Sequence, residues 1–290
     1  MPLFQSRGSN AAGQAIRKRL LLAARFEVIP LKNLEAQIEY LPEGASVSVT
    51  ASPAKTLEDT WDLSRKLFDR GFKPVPHLAA RMLTSEAQLA ALIKGLRDIE
   101  ATELFLVGGD APDPFGPFVD SIEVLRAILD LDHDLKHIGV TAYPDGHSFI
   151  SDELLRDSLH VKQQLLKSAG IACHASTQMC FDPGVVRGWL ERERAAGMTM
   201  PVHLGIPGAV DRAKLLSIGA RLGVGASLRF LKKNRSTVAR LFSPGGYDPN
   251  KLLGPLAGDL EPLEVDGLHV FTFNQIAATE AWRQASLQGL

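Results

Sequence analysis

The sequence predicts an α/β protein folded as a single (β/α)8 TIM barrel, and three observations lead there. Eight short β-rich runs recur along the 290 residues, segments with apolar residues at helical spacing lie between them, and no glycine-rich turn follows the first run. Strands that alternate with helices form a parallel sheet, because parallel neighbours need a crossover connection. A doubly wound open sheet announces its cofactor with a glycine-rich turn after the first strand. Here Pro30, Leu31, Lys32 and Asn33 occupy that turn. The length also suits one barrel of about 250 residues with extensions.

Residues 1–24 read as an N-terminal helical extension and 25–290 as the barrel. Arg17, Lys18 and Arg19 before Leu20, Leu21 and Leu22 superficially resemble a secretion signal. The apolar run is short, however, and passes into Arg25, Phe26 and Glu27 without a cleavage site, so a packed helix is the expectation. Strands are expected at Arg25–Pro30, Ser46–Ala51, Lys73–Ala79, Glu103–Gly109, His137–Tyr143, Ala172–Met179, Pro201–Pro207 and Leu268–Asn274. Apolar spacing of 3.6 residues marks helices over Leu57–Gly71, Ser85–Ile99, Val119–Leu131, Asp152–Ala169 and Pro183–Ala196. Asp152 and Pro183 suit helix starts, and Gly71, Gly170 and Gly197 sit where helices stop. The long connection before the last strand holds a further expected helix at Ser227–Phe242 and the turn-rich Ser243–Asn250. The apolar face of Ser227–Phe242 suits either a homo-oligomer interface or packing on the barrel.

Composition narrows the function classes. Thirty-two basic against 33 acidic residues give a net charge of −1, which offers no uniform field for a nucleic acid. The longest basic cluster, Lys232, Lys233, Asn234 and Arg235, reads as a solvated helix end. Cys173 and Cys180 make no disulfide framework and no zinc spacing, which suits a reducing compartment. No stretch approaches the ~20 apolar residues of a membrane span. The expectation is a cytoplasmic protein that acts on small molecules.

In such barrels the chemistry sits at the C-terminal strand ends. Those ends carry Glu27, Thr50, His77, Asp110, Tyr143 with His147, Gln178 and Asn274. Glu27 lies within Phe26-Glu27-Val28-Ile29-Pro30, where apolar neighbours would desolvate the carboxyl and suit it to general acid work. The other reading is a structural carboxylate paired with Arg25 or a neighbouring strand. Asp110 follows Gly108-Gly109, which lets a flat ligand approach the backbone, or it simply ends a strand before Pro112. His77 and His147 suit ligands, bases or satisfied core histidines. Glu27, His77, Asp110 and His147 could in principle hold a metal, but no local ligand pair supports one, and none is expected.

Taken together these residues resemble the methylenetetrahydrofolate reductase family, in the form of a divergent, short catalytic barrel. The matching pieces occur in the family's order. They are Phe26-Glu27 with Pro30, Val47-Ser48-Val49-Thr50, Pro76-His77-Leu78, Gly109-Asp110, Ala142-Tyr143-Pro144 with His147, Thr177-Gln178 with Phe181-Asp182, Gly205-Ile206-Pro207, and Phe271-Thr272-Phe273-Asn274. The resemblance implies an oxidoreductase of one-carbon and methionine metabolism that reduces 5,10-methylenetetrahydrofolate to 5-methyltetrahydrofolate. The hydride would come from NADH or NADPH through noncovalent FAD. It implies Glu27 as the general acid and Asp110, between pterin and flavin, as a catalytic and substrate-binding residue. Gln178 and Asn274 would be substrate-binding, and Thr50, His77, Ala142, Tyr143 and His147 would line the flavin.

The chain departs from the family where the flavin's phosphates bind. Gly108 replaces an arginine before Gly-Asp, and the basic residue after the fifth strand has only Lys162, Gln164 and Lys167 as ambiguous counterparts. Met179 and Cys180 replace two aromatics, and Gln275 replaces a closing arginine. Lost phosphate contacts weaken a dinucleotide by about 1.5–3 kcal/mol each. The same reaction by direct hydride transfer without flavin is therefore the alternative. A third reading, a phosphate-binding lyase or aldolase barrel, would use Gly223, Gly225 and Arg229 as a phosphate cradle, but no strand-end lysine supplies a Schiff base.

Overall fold

The computed structural model describes residues 3–52, 55–210 and 247–290. Eight parallel strands close in chain order into one barrel. They are β1 Arg25–Val28, β2 Ser46–Val49, β3 Lys73–Ala79, β4 Glu103–Val107, β5 His137–Ala142, β6 Ala172–Thr177, β7 Val202–Pro207 and β8 Val265–Phe271. Closure is made by β8 against β1, with Phe271 opposite Glu27. The described helices are α1 Leu3–Leu22, α2 Leu57–Asp69, α3 Glu86–Gly95, α4 Ser121–Leu129, α5 Asp152–Ser168, α6 Pro183–Ala195, α7 Asn250–Leu256 and α8 Ile276–Gln288. After β1 two short 3-10 turns, Lys32–Leu34 and Ile38–Tyr40, stand in place of a helix.

Local chemistry fixes the helix ends. Thr56 and Asp59 form a capping box on α2, and Ser85, Asp120, Ser151 and Asp182 each accept from a backbone N–H of the first turn that follows. Gly71, Gly170 and Gly197 take φ of +83°, +69° and +96° just past α2, α5 and α6, the left-handed turn that ends a helix.

In β1, β2, β4, β5 and β6 the last residues of the apolar run leave the ladder for the mouth. The eighth differs most. Leu268–Asn274 was expected and Val265–Phe271 is found, since the backbone turns left-handed at Phe273 and Asn274, with φ of +49° and +58°. Helices α7 and α8 add to those read from the sequence. The expected helix at Ser227–Phe242 lies outside the described residues, as do Gly223, Gly225 and Arg229.

The main hydrophobic core is the ring between strands and helices. Leu78, Leu104, Leu106, Val140, Leu204, Ile206 and Val270 point outward from the strands into it and are essentially inaccessible. Each such burial contributes about 1.5–3 kcal/mol. Ile16, Leu20 and Leu21 of α1 join the same core, while Arg19 pairs with Asp266 at the start of β8. The N-terminal helix is thereby fastened to the barrel. No described helix is long and apolar enough to cross a membrane.

Candidate active site

Barrel interiors are commonly filled by branched apolar side chains; this one is filled by polar rings. Alternate residues of the strands face the axis and bring Arg25, Glu27, His77, Glu103, Phe105, His137, His174, His203 and His269 together. Their contacts define the packing. His77 lies 4.7 Å from Phe105, Phe105 5.6 Å from His269, and His174 stacks on His203 at 3.7 Å. Glycines make room for the rings. A Cβ on Gly267 would lie 2.4 Å from the His203 ring, and one on Gly139 would lie 2.5 Å from that of His174.

Burial keeps most of these rings neutral. His77, His174 and His203 are held well below the usual histidine value, first by desolvation and then by neighbouring histidines or Arg25. His137 is lowered too, again chiefly by desolvation. Deep in the lumen, Arg25 reaches across the barrel to Glu103 at 2.7 Å, and His137 Nε2 meets His174 Nδ1 at 2.7 Å.

Glu27 sits above that layer, at the floor of a cavity of about 390 Å³. Its Oε2 lies 2.8 Å from His269 Nε2 and 3.8 Å from His77 Nε2. His77 Nε2 is instead hydrogen-bonded to Ser48 Oγ at 2.7 Å. Arg25, the partner considered from the sequence, is engaged with Glu103.

The cavity brings together Glu27, Thr50, His77, Asp110, Ala142, Tyr143 and Gln178 of the sequence-derived set. Thr50 presents a buried Oγ1 with no partner among the described residues. Gln178 Oε1 accepts from the N–H of Met179 at 2.8 Å, so its NH2 is the end a ligand's acceptor would meet. Burial pushes the Tyr143 phenol up. Phe271 and Phe273 form an aromatic wall, their rings inclined by 20° at 6.3 Å. They cluster with Met179, Phe181, Val210 and Tyr247 in one apolar wall.

His147 and Asn274 lie outside the lining. The His147 ring packs edge-on against Tyr143 and Phe149, and its value is lowered by burial. The Asn274 side chain binds the backbone of Ile29.

Sequence reasoning missed Ser48, His174, His203 and His269. The usable signal was period two along each strand: His269 stands two residues before Phe271, and Ser48 two before Thr50.

Two groups of side chains have the proximity of metal ligands: Glu27, His77 and His269, and Glu103, His137 and His174. Asp110 and His147 belong to neither. A ligating imidazole normally donates its other N–H to a partner, and His269 Nδ1 has none among the described residues. In the second group the Arg25 guanidinium already occupies Glu103. Glu27 bonds His269 while His77 bonds Ser48, and His137 bonds His174 while Glu103 pairs with Arg25.

The lining also bears on a flavin. Gly109, at φ +93°, brings backbone to the cavity where a flat ring could lie. Among the described residues, however, the lining contains no lysine or arginine to hold a diphosphate. The nearby Arg81 donates to the carbonyls of Ala111, Pro112 and Val119 and braces the loop after β4. The described lining thus leaves room for a ring and places no cation for a dinucleotide's diphosphate. Among the described residues the same lining offers no lysine for a Schiff base. No family model matches the chain.

Proposed function

We propose that this protein reduces 5,10-methylenetetrahydrofolate to 5-methyltetrahydrofolate with NADH or NADPH as the hydride source. The observation that carries this reading is Glu27: an almost wholly buried carboxyl at the floor of a cavity that Asp110, Gln178, Tyr143 and aromatic rings also line. That is the residue set expected around a pterin.

The reaction consumes one hydride and one proton. Glu27 gives its proton to the N10 nitrogen of the folate, and the five-membered ring opens to an iminium at N5. Hydride addition to the iminium carbon then leaves the methyl group. Gln178 and Asp110 orient the pterin from the rim, and the Phe271–Phe273 wall excludes water from the cation.

Direct transfer from the nicotinamide is favoured over a resident FAD by a lining that, among the described residues, offers no lysine or arginine. A co-substrate that leaves each turnover can keep its diphosphate in solvent, whereas a resident dinucleotide needs it anchored. The test is the visible spectrum of freshly purified protein, followed by NADH and NADPH oxidation with methylenetetrahydrofolate, with and without added FAD. Turnover in flavin-free protein is expected. A bound flavin band with strictly FAD-dependent turnover would reverse the cofactor assignment, and no turnover under any condition would remove the reaction.

A further inference from the structure

We infer that His269 is a positioning residue for the proton transfer, donating from Nε2 to Glu27 and steadying the carboxylate as it forms. The inference rests on the reductase reading and adds a residue to it.

The tautomer follows from the surroundings. His269 is 1% exposed, and its Nδ1 has no partner among the described residues. An unpartnered lone pair costs less there than an unpartnered N–H, so the proton belongs on Nε2, facing Glu27 Oε2 at 2.8 Å. The other nearby imidazole cannot substitute. His77 Nε2 is 3.8 Å from the same oxygen and engaged with Ser48.

The remaining groups around the pair act from a distance. Arg25 on β1, Glu103 on β4, His137 on β5, His174 on β6 and His203 on β7 form the layer below, where Arg25 and Glu103 offset each other. Asp110 stands at the exposed rim above. With Oε2 held by His269, Oε1 is the oxygen that faces substrate.

A donor aimed at a carboxylate strengthens as the carboxyl loses its proton, so it lowers the barrier more than it tightens substrate binding. The step balances without another reactant: the O–H bond of Glu27 breaks, an N–H bond forms at N10, and His269 keeps its own proton. Glu27 is re-protonated from solvent before the next turnover.

The experiment compares wild type, H269L and H269Q in NADH oxidation with methylenetetrahydrofolate, alongside folate binding. Leucine removes the donor, whereas the glutamine amide can return an N–H near the Nε2 position. H269L is expected to lose roughly 10- to 100-fold in kcat with KM little changed. H269Q is expected to recover much of kcat. An H269L variant that binds folate and keeps wild-type kcat overturns the positioning role alone. So does an H269Q variant that binds folate but is as impaired as H269L. A wild-type protein without turnover removes the reductase reading and this inference with it.

Discussion

Asn274 closes the barrel by gripping Ile29 with both ends of its amide. Its Oδ1 accepts from the Ile29 N–H and its Nδ2 donates to the Ile29 carbonyl, each at 2.9 Å. These bonds join residues at the ends of β8 and β1, beside Glu27. They also hold Phe273 and Asn274 in left-handed backbone, a conformation that costs a bulky residue such as Phe273 about 1–3 kcal/mol. Replacing Asn274 with Ala leaves both Ile29 groups without this partner. The expected loss is about 1–3 kcal/mol in denaturant unfolding, with a fall in activity as the Phe273 wall loosens. Unchanged stability would mean that the pair does not hold the closure.

Glycines opposite the lumen histidines make a second prediction. Gly267→Ala puts a methyl 2.4 Å from a ring atom of His203, and His203 is itself stacked on His174. Rigid rings cannot give way cheaply, so overpacking of about 1–3 kcal/mol is expected. Gly254→Ala on α7, where a Cβ meets nothing, is the matched control. Thermal unfolding of the two variants should separate them clearly.

The neutral histidines set the acid limit of the fold. His77, His174 and His203 resist protonation in the folded protein because desolvation disfavours the cation, while an unfolded chain takes up those protons below about pH 6.5. Between the unfolded and folded values the unfolded state binds more protons, so stability falls as pH falls through that window. Urea midpoints should drop steadily below about pH 6.5, and His203→Phe should reduce the slope. A flat profile would mean that the lumen admits the charges.

Lys162 is an outer counterpart. It lies buried on α5, and desolvation lowers it to about 8, partly offset by Asp120. Its unfolded value is about 10.4. Stability should therefore rise with pH between those two values, where only the unfolded state is protonated. Lys162→Met should stabilise the protein at pH 7 by on the order of 3 kcal/mol and flatten that rise. The observation also weighs against Lys162 as a phosphate anchor, since its ammonium faces the protein interior.

The fold was legible because outward strand faces and helices obey simple periods: Leu104 and Leu106, or Val202 and Leu204, mark their strands without help from distant residues. The rim of the site was legible for a related reason. Thr50, Asp110, Tyr143 and Gln178 interrupt or end apolar runs and stand out as polar. The lumen was harder. His174, His203 and His269 look like ordinary core histidines until the closed barrel sets their rings against one another, and Gly139 and Gly267 acquire a purpose only opposite those rings. Asn274 was read as substrate-binding from resemblance, and its engagement with Ile29, 245 residues away, is visible only in three dimensions.

Glu27 carries the account, and its neutral isostere tests it. Wild type and Glu27→Gln should be compared for methylenetetrahydrofolate-dependent NADH oxidation, with folate affinity measured on the same preparations. Wild type should turn over and the variant should lose roughly 10²- to 10⁴-fold, with affinity changed by no more than a few fold. Turnover in Glu27→Gln equal to wild type would contradict the acid role of Glu27.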